Sequence, residues 1–289
     1  MRKYNRWRCA TVATLYVVGT PIGNLADITM RALDVLRSVP LIAAEDTRRT
    51  RILLQHYGIN TRLVSYHEHS PPSRLAEILD ALTHHDVALV TDAGMPGIAD
   101  PGQELVNAAA ERGFPVVPIP GPSALTAAVS VSGLVSDGFV FLGFLPRTAQ
   151  ARRARLRQLA TLPYPLVLYE APHRLAATLA DLANELGDRP VVICRELTKV
   201  HEEITRTTLQ HATMHLTAPV KGELVLVIGL ANSTPEPSDD ELISRLRAAL
   251  AAGHPPSTAA RLIANETGLP RNRLYRLALT LQDCGQTES

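Results

Sequence analysis

The chain has 289 residues, 46% of them apolar, and a formal net charge of +1 at pH 7. This length is enough for two domains and a small third, and the charge excludes a protein drawn as a whole onto nucleic acid. The three cysteines lack the spacing of a disulfide framework or metal site, which favours the cytoplasm, and the apolar run Ala10–Val18 is too short to span a membrane.

Short strands and amphipathic helices alternate from Thr14 to Ile119. Strands are predicted at Thr14–Val18, Leu41–Ala44, Arg62–Tyr66, Asp86–Thr91 and Pro115–Ile119. Helices are predicted from Asp27 or Thr29 to Arg37, and over Thr50–Tyr57, Arg74–Thr83 and Gln103–Arg112. Because the connections are short, this alternation predicts a mainly parallel sheet that helices cover on both faces.

The loop after the fourth predicted strand is unusually rich in glycine and proline. Between Asp92 and Gly102 it has three glycines, which permit close backbone approach, and two prolines, which stiffen the chain. One such loop could be a plain crossover turn. The segments Gly19–Asn24, Glu45–Arg49 and His67–His69 also follow strands, however. Parallel strands place all these loops at one edge of the sheet, which is where ligands bind.

The ligand predicted at this edge is a nucleoside without a phosphate chain. The loop Gly19–Asn24 lacks both the G-x-G-x-x-G spacing of dinucleotide sites and the Gly-Lys-Ser/Thr of P-loops. No metal is predicted, because His67, Glu68 and His69 alternate between the two sides of a strand and cannot readily share an ion. Contact with RNA or ordinary loop polarity explains that triplet better.

A second α/β pattern begins at Phe139. Strands are predicted at Phe139–Gly143, Leu166–Tyr169, Pro190–Cys194 and Lys221–Gly229, with helices over Ala149–Ala160 and Leu175–Leu186. The cleft between two such domains is a common ligand site. The helix Ala149–Ala160 carries several arginines, which fit either a solvated helix face or a phosphate-binding surface.

The C-terminal part is predicted to be helical. The segment Ser233–Ser238 has the composition of a linker, and helices follow over Asp239–Ala252, Ser257–Glu266 and Asn272–Leu281. A short turn before arginines at 271, 273 and 276 fits a helix-turn-helix that holds RNA, with a packing appendage as the alternative. The predicted domains are therefore residues 13–128, 129–231 and 239–284.

Seven motifs in this order resemble the tetrapyrrole methylase superfamily. They are Gly-Thr-Pro-Ile-Gly-Asn, Glu-Asp-Thr-Arg, the glycine- and proline-rich loop after Val90, Pro-Gly-Pro-Ser-Ala, Gly-Phe-Leu-Pro-Arg, Tyr-Glu-Ala-Pro-His-Arg and Arg-Glu-Leu-Thr-Lys-Val-His-Glu-Glu. Within the superfamily they are most similar to methylases of small-subunit ribosomal RNA that act on the 2′-oxygen of a cytidine ribose. The resemblance covers Leu15 to Leu230, and the terminal helices are similar to that group's C-terminal module.

The resemblance implies two α/β domains, S-adenosylmethionine bound between them, a homodimer and ribosomal RNA as partner. The implied cofactor residues are Pro21, Gly94, Met95, Ile98, Ser123 and Ala124 in the first domain, and Tyr169, Glu170, Arg195, Glu196, Leu197, Lys221 and Gly222 in the second. Met95 departs from the pattern, since this position is often threonine in the group and aspartate in tetrapyrrole enzymes. Binding at that position would use backbone groups.

Methyl transfer to a ribose hydroxyl needs close positioning and gains from a general base. The candidate bases are Glu170, His173 and Asp100. Each has another interpretation: Glu170 as a cofactor ligand, His173 as a residue that packs on Pro172, and Asp100 as the cap of a helix that begins near Pro101. The predicted RNA-binding residues are Arg147, Arg152, Arg153, Arg155, Arg174, Lys199, Arg271 and Arg273.

Two other functions remain open at this stage. A tetrapyrrole or diphthine methyltransferase would share the fold and the cofactor, but a small substrate needs neither the Glu-Ala-Pro-His-Arg motif nor arginine-bearing terminal helices. A non-enzymatic RNA-binding assembly factor could retain the nucleoside pocket. Calorimetry with S-adenosylmethionine, followed by transfer of a labelled methyl group to small ribosomal subunits, discriminates between these functions.

Overall fold

A computed structural model of the chain describes residues 12–216, 220–231, 238–267 and 269–285, with side chains as far as residue 281. The described residues form two compact units, of which the first ends at Ala231. The first unit contains both sheets, and the second is helical. Within the described residues, no helix combines the length and the apolar composition that a membrane span requires.

The first sheet is wholly parallel. Its strands are β1 (Leu15–Val18), β2 (Leu41–Ala44), β3 (Arg62–Ser65), β4 (Val87–Val90) and β5 (Val116–Ile119), in the order β3-β2-β4-β1-β5. Its helices are α1 (Met30–Ser38), α2 (Thr47–His56), α3 (Pro72–Ala81) and α4 (Gln103–Glu111). One apolar cluster joins the sheet to α1 and α2, and another joins it to α3 and α4. The predicted parallel sheet with two covered faces is confirmed.

The second sheet is mostly antiparallel. Its strands are β6 (Val140–Phe144), β7 (Leu166–Glu170), β8 (Pro190–Arg195), β9 (Glu203–Thr208) and β10 (Leu224–Ile228), in the order β6-β7-β10-β8-β9. Its helices are α5 (Ala124–Ser132), α6 (Ala149–Leu159), α7 (Leu175–Leu186) and α8 (Leu209–His215). β6 and β7 are parallel, whereas β10 is antiparallel to β7 and β8, and β9 is antiparallel to β8.

Three elements of this half were not predicted: α5, α8 and β9. α5 has a sequence of alanine, valine, leucine and small hydroxyl residues, without the polar stripe that marks an amphipathic helix. β9 is an edge strand made largely of threonine and charged residues, so it lacks an apolar run. The predicted domain boundary between residues 128 and 129 falls inside α5. Ala128, on the first side of that boundary, packs in one apolar cluster with Val167 and Val192 of the second sheet.

The second unit has three helices and its own core. α9 (Asp239–Ala251), α10 (Pro256–Thr267) and α11 (Arg271–Gly285) pack around Leu242, Leu246, Ile263, Leu274 and Ala278. The Ser238 hydroxyl accepts a hydrogen bond from the N–H of Glu241 at 3.2 Å and so caps α9. The Arg273 guanidinium lies 2.9 Å from Asp239, which ties α11 to α9.

Candidate active site

The loops that follow β1, β4 and β5 are fastened to one another at the carboxyl edge of the first sheet. Thr20 and Gly94 exchange two backbone hydrogen bonds of 2.9 and 3.0 Å, and the Thr20 hydroxyl donates to the carbonyl of Thr91 at 3.0 Å. Gly19 approaches the third loop so closely that a Cβ on it would lie 2.8 Å from the Cα of Gly121. Glycine at both positions permits this contact. The three loops therefore form one fixed surface, which we call the first-sheet wall.

The loop after β4 leaves space beside Gly94. This glycine has φ +77°, and a Cβ built on it would have Ile22 at 3.8 Å and the carbonyl of Pro122 at 3.9 Å as its nearest neighbours. The Met95 sulfur lies against Gly19, so this side chain packs into the wall. Ile98 is 42% exposed farther along the same loop. The space next to Gly94 is therefore lined by backbone as well as by side chains.

The wall packs against the segment after β8. A Cβ on Gly23 would lie 2.5 Å from the Lys199 side chain and 2.7 Å from the Thr198 hydroxyl oxygen. Glu196 and Thr198 have φ of +52° and +67°, a conformation that is uncommon for residues other than glycine. We call this meeting of the first-sheet loops with the second sheet the intersheet junction, and the strained backbone of Arg195–Lys199 forms one side of it.

Tyr169 of β7 faces the same junction. Burial raises the pKa of its hydroxyl, the negative charge of Asp100 raises it further, and the N–H of Leu125 and the hydroxyl of Ser123 act in the opposite direction. Tyr169, Ala93 and Ala124, which follows Ser123, all pack against one apolar cluster. The structure thus brings together predicted residues from the loops after β4 and β5 and from β7.

Asp100 lies among other acidic groups. Burial, followed by the charges of Glu45, Asp92 and Glu223, raises the pKa of its carboxyl to about 7. Glu45 accepts a hydrogen bond from the N–H of Asp92 at 3.2 Å, and burial is also the main cause that raises the pKa of each of these two carboxyls. A carboxyl that titrates near neutral pH can accept a proton under physiological conditions.

The alternative role considered for Asp100, as a helix cap, is wrong. α4 begins at Gln103, where the helix itself was predicted to begin, its N-cap is Gly102 with φ +132°, and no side chain caps it. The acidic neighbours Glu45 and Asp92 were not predicted as part of the site. A signal for them existed, because Glu45 directly follows β2, Asp92 lies two residues after β4, and these two strands are adjacent in the sheet.

Glu170 has the surroundings of a structural residue, which favour a role in holding the fold over the predicted catalytic or cofactor-binding role. It is 2% exposed, and its carboxylate accepts hydrogen bonds from the Thr178 hydroxyl at 2.5 Å and from the N–H of Ala171 at 2.7 Å. The guanidinium of Arg174 lies 3.2 Å from the same carboxylate. Successive residues of a strand point to opposite faces, so Tyr169 faces the junction and Glu170 faces α7.

The ion pair with Glu170 also holds the side chain of Arg174, which was predicted to bind RNA, in place. Its Nη2 donates to the carbonyls of Leu145 and Pro146 at 2.8 and 3.2 Å, so this arginine fastens the segment after β6. His173, the third candidate base, is exposed in the short 3-10 turn Pro172–Arg174.

Arg152, which was also predicted to bind RNA, is held inside the fold. It is 4% exposed and forms a close ion pair with the buried Asp181 of α7. Arg153 pairs with the same carboxylate at 2.6 Å, and Arg157 pairs with Glu185 at 2.9 Å. Much of the arginine-rich face of α6 therefore holds α6 to α7. Arg147 and Arg155 are exposed.

The remaining predicted residues have mixed environments. The Lys199 ammonium donates to Glu196 at 2.8 Å and to Glu223 at 3.0 Å, and Arg195 pairs with Glu203 at 2.8 Å. Leu197 packs with Ile22 in the cluster that joins the two sheets. Pro21 and Ala124 are half-buried, and Lys221 and Arg271 are exposed. Gly222 lies against the Glu196 side chain. No group of side chains in the described part of the chain has the arrangement of a metal site.

Comparisons with known proteins agree with this architecture. The profile of the family described as Tetrapyrrole (Corrin/Porphyrin) Methylases matches residues 14–213, and the profile described as RsmI C-terminal HTH domain matches residues 236–282. The ribosomal RNA small subunit methyltransferase I of Synechocystis sp. is 50% identical, over 94% of this chain and 99% of its own length. The protein of the same name from Escherichia coli O157:H7 is 44% identical, over 93% and 95%.

Solved structures share the fold of the first unit. A diphthine synthase superposes with a TM-score of 0.60 at 17% identity, covering 75% of this chain and 90% of its own. Uroporphyrin-III C-methyl transferase from Thermus thermophilus, complexed with S-adenyl homocysteine, gives a TM-score of 0.56 at 20% identity, covering 75% and 97%.

Proposed function

The chain belongs to the tetrapyrrole methylase family, and from this premise we propose that it transfers a methyl group from S-adenosylmethionine to the 2′-oxygen of a cytidine ribose in small-subunit ribosomal RNA. The observation that carries the proposal is the full-length similarity to proteins named ribosomal RNA small subunit methyltransferase I. A tetrapyrrole or diphthine substrate is less well supported, since the relatives with such names are similar at 17–20% identity and leave about a quarter of this chain unmatched. A homodimer in the cytoplasm is part of the same proposal.

The intersheet junction fits the methyl donor. The space beside Gly94 lets a ligand approach the backbone, and Ser123 and Tyr169 supply hydroxyl groups next to apolar surface. The residues proposed to hold the donor are Pro21, Gly94, Met95, Ile98, Ser123 and Ala124 on one side, and Tyr169, Arg195, Glu196, Leu197, Lys221 and Gly222 on the other. Glu170 is left out because it faces away from the junction.

Asp100 is the proposed general base. When bound, S-adenosylmethionine supplies a methyl group on a sulfonium that is already a good leaving group. The chain then has to place the ribose oxygen and to accept its proton. Asp100 belongs to the first-sheet wall, and its pKa of about 7 suits proton acceptance at neutral pH. His173 is exposed, but it lies in the 3-10 turn that follows β7 and not in the first-sheet wall. It is therefore the weaker candidate for the base.

RNA phosphates are proposed to contact exposed arginines. In the first unit these are Arg147 and Arg155, together with Arg153, whose side chain is 48% exposed despite its pairing with Asp181. In the second unit they are Arg271 and Arg276, which are exposed, and Arg273 beside Asp239. Arginine suits contact with phosphate, and each unit carries exposed arginines of its own.

Binding of the donor can be tested by calorimetry with matched glycine variants. Gly94→Val should abolish S-adenosylmethionine binding, because its side chain would occupy the open space of the junction. Gly97→Val is the control, since Gly97 lies on the same loop with a similar φ of +82° and open surroundings. Unchanged affinity in folded Gly94→Val would contradict the site. An equal loss of S-adenosylmethionine affinity in both variants would mean that backbone strain, and not the filled space beside Gly94, caused the loss.

The product can be tested with labelled S-adenosylmethionine and small ribosomal subunits. Nuclease digestion and mass spectrometry of the RNA should place the new methyl group on the 2′-oxygen of a cytidine. A methyl group on a base, or transfer to a porphyrinoid but not to ribosomal subunits, would contradict the proposed function.

A further inference from the structure

β6 contains a bulge that changes the direction of its last side chain. Phe141 pairs with Val167 of β7, and the next pair is Phe144 with Tyr169, so β6 has one residue more than β7 between the two pairs. Gly143 lies inside this bulge with φ +59°, where glycine is favoured. In a regular strand, residues three apart point to opposite faces. The bulge instead places Phe141 and Phe144 on one face.

Ring contacts agree with that placement. The rings of Phe141 and Phe144 both meet Tyr169 edge to face, with centroid distances of 5.0 and 5.7 Å. Phe141 is half-buried in the cluster that joins the sheets, whereas Phe144 is 54% exposed. Its ring therefore continues the junction face of Tyr169 outward to the surface.

The bulge also touches the loop that carries Asp100. A Cβ on Gly143 would lie 3.5 Å from the Cβ of Ala99, which is the residue next to Asp100. The charge of Asp100 in turn contributes to the raised pKa of Tyr169. Phe144 thus stands at the entrance of the junction, on the side where the proposed general base lies.

The segment that follows Phe144 is held firmly and carries an exposed cation. Arg174 donates to the carbonyls of Leu145 and Pro146, and Arg152 donates to the carbonyl of Arg147 at 3.3 Å. The Arg147 side chain is exposed. Single exposed apolar side chains are common and need no explanation. Here, however, an aromatic ring is directed outward by a bulge and stands on a fixed segment beside an arginine.

We propose that Phe144 stacks against a base of the RNA, at or next to the methylated nucleotide, while Arg147 contacts the neighbouring phosphate. This rests on the proposed function, because it assigns the position of the RNA in that reaction. Sequence-specific RNA recognition commonly stacks an unpaired base on an aromatic side chain, and a fixed platform loses little conformational freedom on binding. A base held at the entrance would keep its ribose close to Asp100.

The first test compares full-length variants in methyl transfer to small ribosomal subunits. Phe144→Leu should raise KM for the subunits by roughly 5- to 100-fold, the range typical for loss of one stacked base. Phe144→Tyr should restore a KM close to that of the unaltered chain, because tyrosine also stacks. Phe139→Leu is the matched control, since Phe139 is 37% exposed and directly precedes β6. The affinity for S-adenosylmethionine and the mass in solution should be the same in all variants.

A second readout does not depend on catalysis. Trp7 is the single tryptophan of the chain, so Trp7→Phe combined with Phe144→Trp gives one fluorescent side chain at the proposed platform. Small-subunit RNA should quench its fluorescence in a saturable way.

The outcomes separate the possible failures. Normal KM in Phe144→Leu, or RNA binding without quenching, would overturn the stacking role. A lowered mass in solution for Phe144→Leu would overturn it in favour of a contact between protein subunits. If the unaltered chain transfers no methyl group to subunits, the proposed function fails, and the quenching titration still decides whether RNA meets Phe144.

Discussion

Asp100 and Glu170 are two carboxyl groups near the same junction, but their surroundings are opposite. Asp100 has Glu45, Asp92 and Glu223 as charged neighbours, and its pKa is raised to about 7. Glu170 is surrounded by donors, namely the Thr178 hydroxyl, the N–H of Ala171 and the guanidinium of Arg174. Like charges and burial disfavour the ionised form of a carboxyl, and donors stabilise it.

This difference separates a group prepared for proton transfer from a group that holds the fold. A carboxyl crowded by acids gains by taking up a proton, while the contacts of Glu170 join β7 to α7 and to Arg174. Substitution of each residue should therefore affect different measurements.

Asp100→Asn should have the largest effect of these substitutions, and the effect should be on catalysis. The amide has nearly the same shape but cannot accept the ribose proton, so kcat/KM for methyl transfer at pH 8 should fall by roughly 10²- to 10⁴-fold. Calorimetry should show S-adenosylmethionine affinity within a few-fold of the unaltered chain. Activity within a factor of about three in this variant would exclude Asp100 as the base.

Glu170→Ala should reduce stability. It leaves the Arg174 guanidinium without its buried partner, and such a loss costs about 3 kcal/mol in the free energy of unfolding. Urea denaturation measures it. Glu185→Ala is the control, because its partner Arg157 is 65% exposed and that pair should contribute about 1 kcal/mol or less. Equal losses in both variants would contradict the structural role of Glu170.

The pH dependence of kcat/KM should follow the ionisation of Asp100. The base works when deprotonated, so kcat/KM should rise about tenfold per pH unit below 7 and level off above it. Asp100→Asn should lack this inflection, and the Glu170→Ala variant, where folded, should keep it. An inflection near pH 4 in the unaltered chain would show that no raised carboxyl controls the reaction.

The smallest expected effect is a gain in thermal stability. A carboxyl pKa of about 7 in the folded state means that the folded chain binds more protons than the unfolded chain between the ordinary pKa and 7. Stability from this group is therefore present at low pH and is lost as pH rises through 7. Asp100→Asn removes the buried charge and should raise Tm by about 2–4 °C at pH 8, with a smaller gain at pH 5. Calorimetry that shows a lower Tm at pH 8 would contradict this.

Patterns along the chain were sufficient to predict the first sheet and the loops at its carboxyl edge. The apolar strands and the glycine- and proline-rich connections are local features, so they appear directly in the sequence. The predictions of the cofactor and of the RNA substrate, in contrast, rested on the resemblance of seven motifs to a known family. Strand alternation could also have separated Tyr169 from Glu170, since neighbours in a strand point to opposite faces.

Long-range pairing was the part that the sequence did not reveal. Arg152 and Asp181 are 29 residues apart and meet only because α6 packs on α7 in one particular register. An arginine-rich helix has the same composition whether its charges face solvent or a carboxylate. The environment of Asp100 is likewise assembled from distant segments, namely those after β2 and β4 and the residue before β10.

The position of β10 has a consequence for synthesis of the chain on the ribosome. The first sheet is complete once Ile119 has emerged, whereas the central strand of the second sheet, Leu224–Ile228, is the last of its strands to be made. Until then β7 and β8 lack the strand that lies between them, and their open edges are prone to wrong pairing. We expect the first sheet to fold during translation before the second sheet, which is complete only after Ile228 has emerged.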